Sequence, residues 1–195
     1  MKKIVVLTAV LLILGTGMVQ AETFRAILNA SQSSIFAGVD AKRYVTKGYM
    51  KYGGNGIFVD TDTKKYGLLN IRLMVGSETL LENLVCEVGL KGVLGSAEER
   101  DNDGSIGAVA FSGVAAYRLP QSITPIPIQF SLEMSGSPSV LTFLDAKNYF
   151  DVKTGIDVYI VENASLQFSY HYYSIDIKKW DFKDDRILFG IALEF

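Results

Sequence analysis

Ile187-Leu188-Phe189-Gly190-Ile191-Ala192-Leu193-Glu194-Phe195 ends the chain. Ile187, Phe189, Ile191, Leu193 and Phe195 are large and apolar, while Leu188, Gly190, Ala192 and Glu194 between them are mostly small or charged. A repeat of two is the period of a strand whose side chains alternate between two unlike faces. Upstream, Leu166, Phe168, Tyr170 and Tyr172 oppose Gln167, Ser169, His171 and Tyr173. Phe150, Val152, Thr154, Ile156, Val158 and Ile160 oppose Asp151, Lys153, Gly155, Asp157 and Tyr159, and Ile128 to Met134 repeats the pattern. It continues through Val109–Leu119, Leu84–Leu94 and Leu69–Val75. Gly48 to Thr61 is the least regular stretch, and Gly53, Gly54 and Gly56 predict a bulge or bend there. This makes eight strands. Thr23–Asn29 and Ile35–Lys42 form either an extra hairpin, raising the number to ten, or a periplasmic or plugging arm; eight is the preferred number.

The two faces distinguish a soluble barrel from a membrane barrel, which turns its apolar side to lipid and its polar side inward. The apolar face carries the bulk, and the other face carries many Gly, Ala and Ser residues, as a narrow interior requires. Five cations on that second face (Lys51, Arg72, Lys91, Arg118 and Lys153) match five anions (Glu87, Glu133, Asp151, Asp157 and Glu194). Such balance suits a closed interior, where an unpaired charge is costly. Aromatic residues near strand ends (Tyr49, Tyr66, Tyr117, Phe150, Tyr170, Tyr172 and Phe195) fit the two girdles of a membrane barrel. The expected fold is therefore an all-β, antiparallel up-and-down transmembrane barrel. With the C-terminus periplasmic, Gly76–Asn83, Pro120–Ile126 and Val161–Asn163 become short inner turns. Asp60–Lys65, Ser96–Gly104, Gly136–Asn148 and Ile177–Arg186 become the longer, more charged external loops.

The first residues read as an export signal. Lys2 and Lys3 precede an apolar run from Ile4 to Leu14, and Val19-Gln20-Ala21 supplies a cleavage site before Glu22. The run is too short for a spanning helix, which needs about 20 residues. Cleavage removes two lysines and leaves 17 basic against 21 acidic side chains in residues 22–195, the barrel domain. In the 195-residue chain, 49% hydrophobic and 21% charged content excludes disorder, and one Cys and one His exclude a disulfide scaffold and most zinc sites. A net charge of -2 gives no sign of a nucleic-acid partner. Export places the protein in the outer membrane of a Gram-negative host, as a monomer without cofactor.

Phe195 after alternating hydrophobic residues resembles the signal by which outer-membrane proteins engage the barrel assembly machinery. Thr124-Pro125-Ile126-Pro127, Ser137-Pro138-Ser139-Val140-Leu141 and Glu162-Asn163 ahead of an aromatic strand are similar to the YfaZ family of small proteobacterial outer-membrane proteins. The similarity extends over the exported chain, more loosely before Lys64. It implies an outer-membrane barrel and carries no activity with it. Scarce glycines in the last strands and a basic-aromatic final loop depart from the family pattern.

Chemistry is sparse. His171 shares its face with Ser169, but both point away from lipid, where a lipid-modifying triad would need to act. Interior carboxylates such as Glu133 could serve as an acid–base pair, but nearby cations favour a salt-bridge network. Asp101-Asn102-Asp103-Gly104 lacks most of a calcium-loop pattern, and Asn163-Ala164-Ser165 is a glycosylation triplet in a tight turn. Two loops stand out. Ser137–Leu144, with Val140, Leu141 and Phe143, forms a lid, a lipid or partner contact, or a self-packed rim. Lys178-Lys179-Trp180 combines charge with an interfacial indole and could meet lipopolysaccharide or outer-membrane lipid. The expected function is a non-enzymatic structural or surface-interaction role through the external loops. The alternatives are a narrow channel for ions or small solutes, a lipid-modifying enzyme and a soluble lipocalin-like binder.

Overall fold

The computed structural model describes residues 23–46, 48–81, 83–100, 102–178 and 180–195, with side chains except at 78–81. The export signal expected at 1–21 lies outside these residues. Among the described residues there are eleven strands: β1 (Thr23–Ser31), β2 (Ser34–Val45), β3 (Gly48–Asp60), β4 (Lys64–Leu81), β5 (Leu84–Glu99), β6 (Asn102–Arg118), β7 (Ile128–Ser137), β8 (Thr142–Leu144), β9 (Ala146–Val161), β10 (Ala164–Ile177) and β11 (Trp180–Glu194). Each long strand pairs antiparallel with its neighbours, β7 pairs with β9, and β1 pairs with β11, so ten strands close into a barrel. Closure leaves no long open edge. The three-residue β8 lies outside the ring of ten and continues the β6 ladder at Ile106–Ala108, beyond the point where β7 ends.

The number of strands is therefore ten, and the preferred expectation of eight is corrected. The added pair is the β1–β2 hairpin, in register from Thr23↔Lys42 to Ser31↔Ser34. Its alternation is weak for a physical reason. Ile27 and Phe36 are apolar yet buried inside, whereas Ala26, Ala30 and Ala37 occupy the outer face, so the contrast between faces is lost. The glycines of β3 do not form a bulge, because both of its ladders run without a register shift.

Phe24 and Phe195 exchange backbone hydrogen bonds of 2.8 and 2.9 Å, which close the seam and place these two residues at one rim, the terminus end. The opposite rim, the hairpin end, departs from the expected long loops. β6 has 17 residues and β5 has 16, so most of Ser96–Gly104 is ladder, and β11 begins at Trp180 within the expected loop Ile177–Arg186. About 9–11 residues cross a bilayer, so these strands continue well past an apolar belt. At the terminus end, β4 extends to Leu81, which leaves little of the expected Gly76–Asn83 turn. Asn83 there adopts a left-handed φ of 65°, which asparagine tolerates well.

Outside, Leu69, Leu73, Val88, Phe111, Phe189 and Ile191 belong to a continuous belt of exposed large apolar side chains. Tyr117, Phe150 and Phe195 also face outward, but Tyr49 and Tyr66 are buried inside and belong to no girdle. Deleting residues 22–47 should leave β3 and β11 with unpaired edges. The expected outcome is loss of the faster-migrating unboiled form on SDS gels; a retained heat-modifiable band would contradict a ten-stranded closure.

Candidate functional site: a charged vestibule beneath an apolar plug

The lumen has two unlike halves. Toward the hairpin end it is filled by apolar side chains, among them Val93, Ile106, Ile175 and Phe182. Tyr66 on β4 and Tyr173 on β10 come from strands five places apart in the ring of ten, on opposite walls. Their rings nonetheless meet edge-to-face with centroids 6.0 Å apart, and Phe182 packs on Tyr66 at 5.1 Å. The Tyr66 hydroxyl donates to Asp184 at 2.9 Å, and Arg186 and Lys64 hold the same carboxylate. Side chains thus bridge the barrel from wall to wall.

Below the plug lies a layer of paired charge. Arg72 bonds Asp40 through Nε at 2.9 Å and again through Nη2, and donates to Glu133 at 2.9 Å through Nη1. Lys91 reaches Asp151 at 2.9 Å and Glu133 at 3.4 Å. Lys51 pairs with Glu87 at 2.5 Å, and Arg25 pairs with Asp157 at 3.1 Å and Glu194 at 3.6 Å. Charge-assisted bonds of this kind are the strong ones, and here they replace the water that a buried ion has lost.

Local sequence makes the layer possible through a repeated device. Asp40, Gly53 and Arg72 are in register on three adjacent strands, so the Asp40–Arg72 pair passes over the glycine. A Cβ at Gly53 would lie 2.2 Å from Asp40 Oδ1. Tyr49, Gly76 and Glu87 repeat the arrangement, with the tyrosine hydroxyl donating to Glu87 at 2.7 Å. Asn29, Gly190 and Gln167 repeat it again, with a 2.5 Å amide bond across the glycine. An inward glycine on the middle strand is what lets polar partners two strands apart meet.

Toward the terminus end the lumen opens into a cavity of about 580 Å³. Arg25, Lys42, Lys51, Arg72, Arg118 and Lys153 line it against Asp40, Glu87, Glu133, Asp157 and Glu194. Of the ten charges placed inward from sequence, Asp151 and Lys91 lie above this cavity in the paired layer, and the other eight line it. Arg25, Asp40 and Lys42 were not among those ten because they sit on the weakly alternating first hairpin. The balance of five against five becomes six cations to five anions around the cavity. Arg118 and Lys153 rest on rings instead of carboxylates: Arg118 lies 4.5 Å from the Tyr159 centroid, and Lys153 Nζ lies 4.3 Å from that of Phe36.

His171 is buried with Ser169, whose hydroxyl lies 3.2 Å from Nε2, and Nδ1 faces the Tyr173 hydroxyl at 3.4 Å. No carboxylate bonds this histidine among the described residues, so no triad forms. Glu133 is held by two cations, and Asp151 by Lys91, an arrangement of ion pairs. Among the described residues no group of three His, Cys, Asp or Glu side chains is placed to hold a metal. Asp101 of the calcium-like loop lies outside the described residues, and Asn102 to Gly104 open β6.

The loop candidates also move. Val140 is 84% exposed and Leu141 half-buried in a single 3-10 turn, while Phe143 lies over Gly107 as part of β8. The segment is pinned to the rim and does not cover the mouth. Lys178 is exposed and pairs with Asp145 at 3.5 Å, and Lys179 lies outside the described residues. Trp180 is not the free interfacial indole expected from sequence, because it packs on the plug against Phe182 at 5.6 Å.

Removing one partner of a buried ion pair strands the other. Asp40→Ala should therefore lower unfolding stability by about 3–5 kcal/mol in a urea titration of the reconstituted barrel. Gly53→Leu should match it, and adding Arg72→Met to Asp40→Ala should restore much of the loss, since Glu133 keeps Lys91.

Several solved structures are similar to the chain at low identity. One is described as the NanC porin in a rhombohedral crystal form (TM-score 0.42, 6% identity, 88% of this chain and 98% of that chain). A second comes from work on the in-meso crystallization of membrane proteins (TM-score 0.38, 13% identity, covering 89% and 83%). A third is described as the copper transporter OprC (TM-score 0.34, 13% identity, covering 88% and 33%). No curated protein matches the chain. A family model described as YfaZ precursor matches residues 1–193, nearly the whole sequence, and the chain belongs to the YfaZ family.

Proposed function

We propose that the chain is an integral outer-membrane barrel with a non-enzymatic role, acting at the cell surface through its projecting hairpins while its lumen stays shut toward the exterior. The belt of exposed Leu, Val, Ile and Phe side chains around an interior of paired charge supports insertion in lipid. With the chain ends periplasmic, the vestibule faces the periplasm, and β8, Val140 and Lys178 face outward. The observation that carries the closed-lumen reading is the Tyr66–Tyr173 contact across the barrel. Packed apolar side chains offer an ion no replacement for its hydration shell.

A second reading, a narrow channel for ions or small solutes, draws on the ten strands and the vestibule that reaches halfway through them. Planar-bilayer recording separates the two. The wild-type barrel is expected to insert without discrete conductance steps, and Tyr66→Ala combined with Tyr173→Ala should produce them. Stable steps from the wild type would overturn the first reading in favour of the second.

A further inference from the structure

We infer that the vestibule binds a small organic anion, held between Arg118 near the mouth and Lys153 deeper in the lumen. The inference rests on the reading of the lumen as a vestibule open at the terminus end.

Every carboxylate around the cavity is already engaged: Asp40 and Glu133 by Arg72, Glu87 by Lys51, Asp157 and Glu194 by Arg25. Arg118 and Lys153 make no ion pair among the described residues and are supported by the faces of Tyr159 and Phe36. An aromatic face stabilises a cation less than a carboxylate does and leaves its N–H donors available. With these carboxylates held by Arg25, Lys51 and Arg72, the Arg118 and Lys153 side chains are the cations placed to receive an anion.

Registration places the two residues' backbones on one wall, from which Lys153 extends across the lumen to Phe36 on β2. Arg118 stands opposite Gln129 on β7, and Lys153 opposite Glu133 on the same strand. Between those levels Ser131 faces Gly155, whose missing side chain leaves room beside the Ser131 hydroxyl, and Gln129 lines the cavity at the level of Arg118. A guanidinium fork near the mouth and an ammonium deeper in the lumen suit a carboxylate or a phosphate ester and give a neutral molecule nothing to neutralise. The cavity of about 580 Å³ has room for a molecule of several heavy atoms.

The test is amide chemical-shift titration of the full-length exported chain folded in micelles, with lactate and dimethyl phosphate as singly charged probes and lactamide as the neutral control. Saturable shifts at Gln129, Ser131 and Gly155 are expected for at least one anion, with lactamide at least tenfold weaker; the stronger anion assigns carboxylate or phosphate. Arg118→Gln with Lys153→Met should weaken that binding at least tenfold while leaving the thermal midpoint and heat-modifiable band unchanged. Equal shifts from lactamide, no shift from either anion, or an unaffected double variant would overturn the inference. A neutral nitroxide added to the same sample reports access independently of charge. If it broadens these amides while neither anion binds, anion binding alone fails; if it cannot reach them, the open vestibule fails.

Discussion

Inside the barrel the Arg72 guanidinium joins strands that are not neighbours. It grips Asp40 on β2 and Glu133 on β7 from its own place on β4, and Lys91 extends the network from Glu133 to Asp151 on β9. Hydrogen bonds of the ladder connect only adjacent strands, so these side-chain ties are what fix opposite walls against each other. A charge in such a place costs several kcal/mol unless it is paired, and the requirement of pairing governs the residues around it. It explains why Gly53 lies between Asp40 and Arg72 and why Gly76 and Gly190 recur between other polar partners. At these three places long side chains meet across a middle strand that has no side chain of its own there.

The division of the lumen follows from the same constraint. Paired charge occupies the middle, and above it lies a packed plug, mostly apolar, that includes Tyr66, Tyr173 and Phe182, with Asp184 held there by Tyr66, Lys64 and Arg186. Below it the wall opens, and ion pairing gives way to cations resting on aromatic rings. One barrel therefore presents a closed face at its hairpin end and a charged recess at its terminus end. The two roles proposed for the chain, surface contact by the hairpins and small-molecule binding in the vestibule, fall at opposite ends of this barrel.

Much of this was readable from residue order. From Leu69 onward, the alternating side chains take the faces that the period of two assigns them, and the inward placement of His171, Glu133 and Lys91 follows directly. The first hairpin was not readable in the same way. Ile27 and Phe36 serve the plug, and Ala26 and Ala37 face outward, so the two faces look alike and the strand number came out two short. The plug hid the tyrosines as well: Tyr49 and Tyr66 at strand ends match a lipid girdle in sequence, but Tyr49 reaches Glu87 and Tyr66 reaches Asp184 inside. Contact across a barrel has no local signature. Trp180 shows the same limit, since a basic-aromatic turn and the buried start of a strand share one composition.

The most direct measurement of the one-sided lumen is cysteine accessibility. With Cys86 replaced by Ser and a single cysteine placed at Lys153, the barrel is reconstituted in liposomes whose orientation is read from protease cleavage of a tag at the terminus end. A charged, membrane-impermeant thiol reagent is then applied to one side only. Labelling from the terminus side, with at least tenfold slower labelling from the hairpin side, is the predicted result. Equal rates from both sides would mean that the Tyr66–Tyr173 plug does not close the barrel, and would contradict the account.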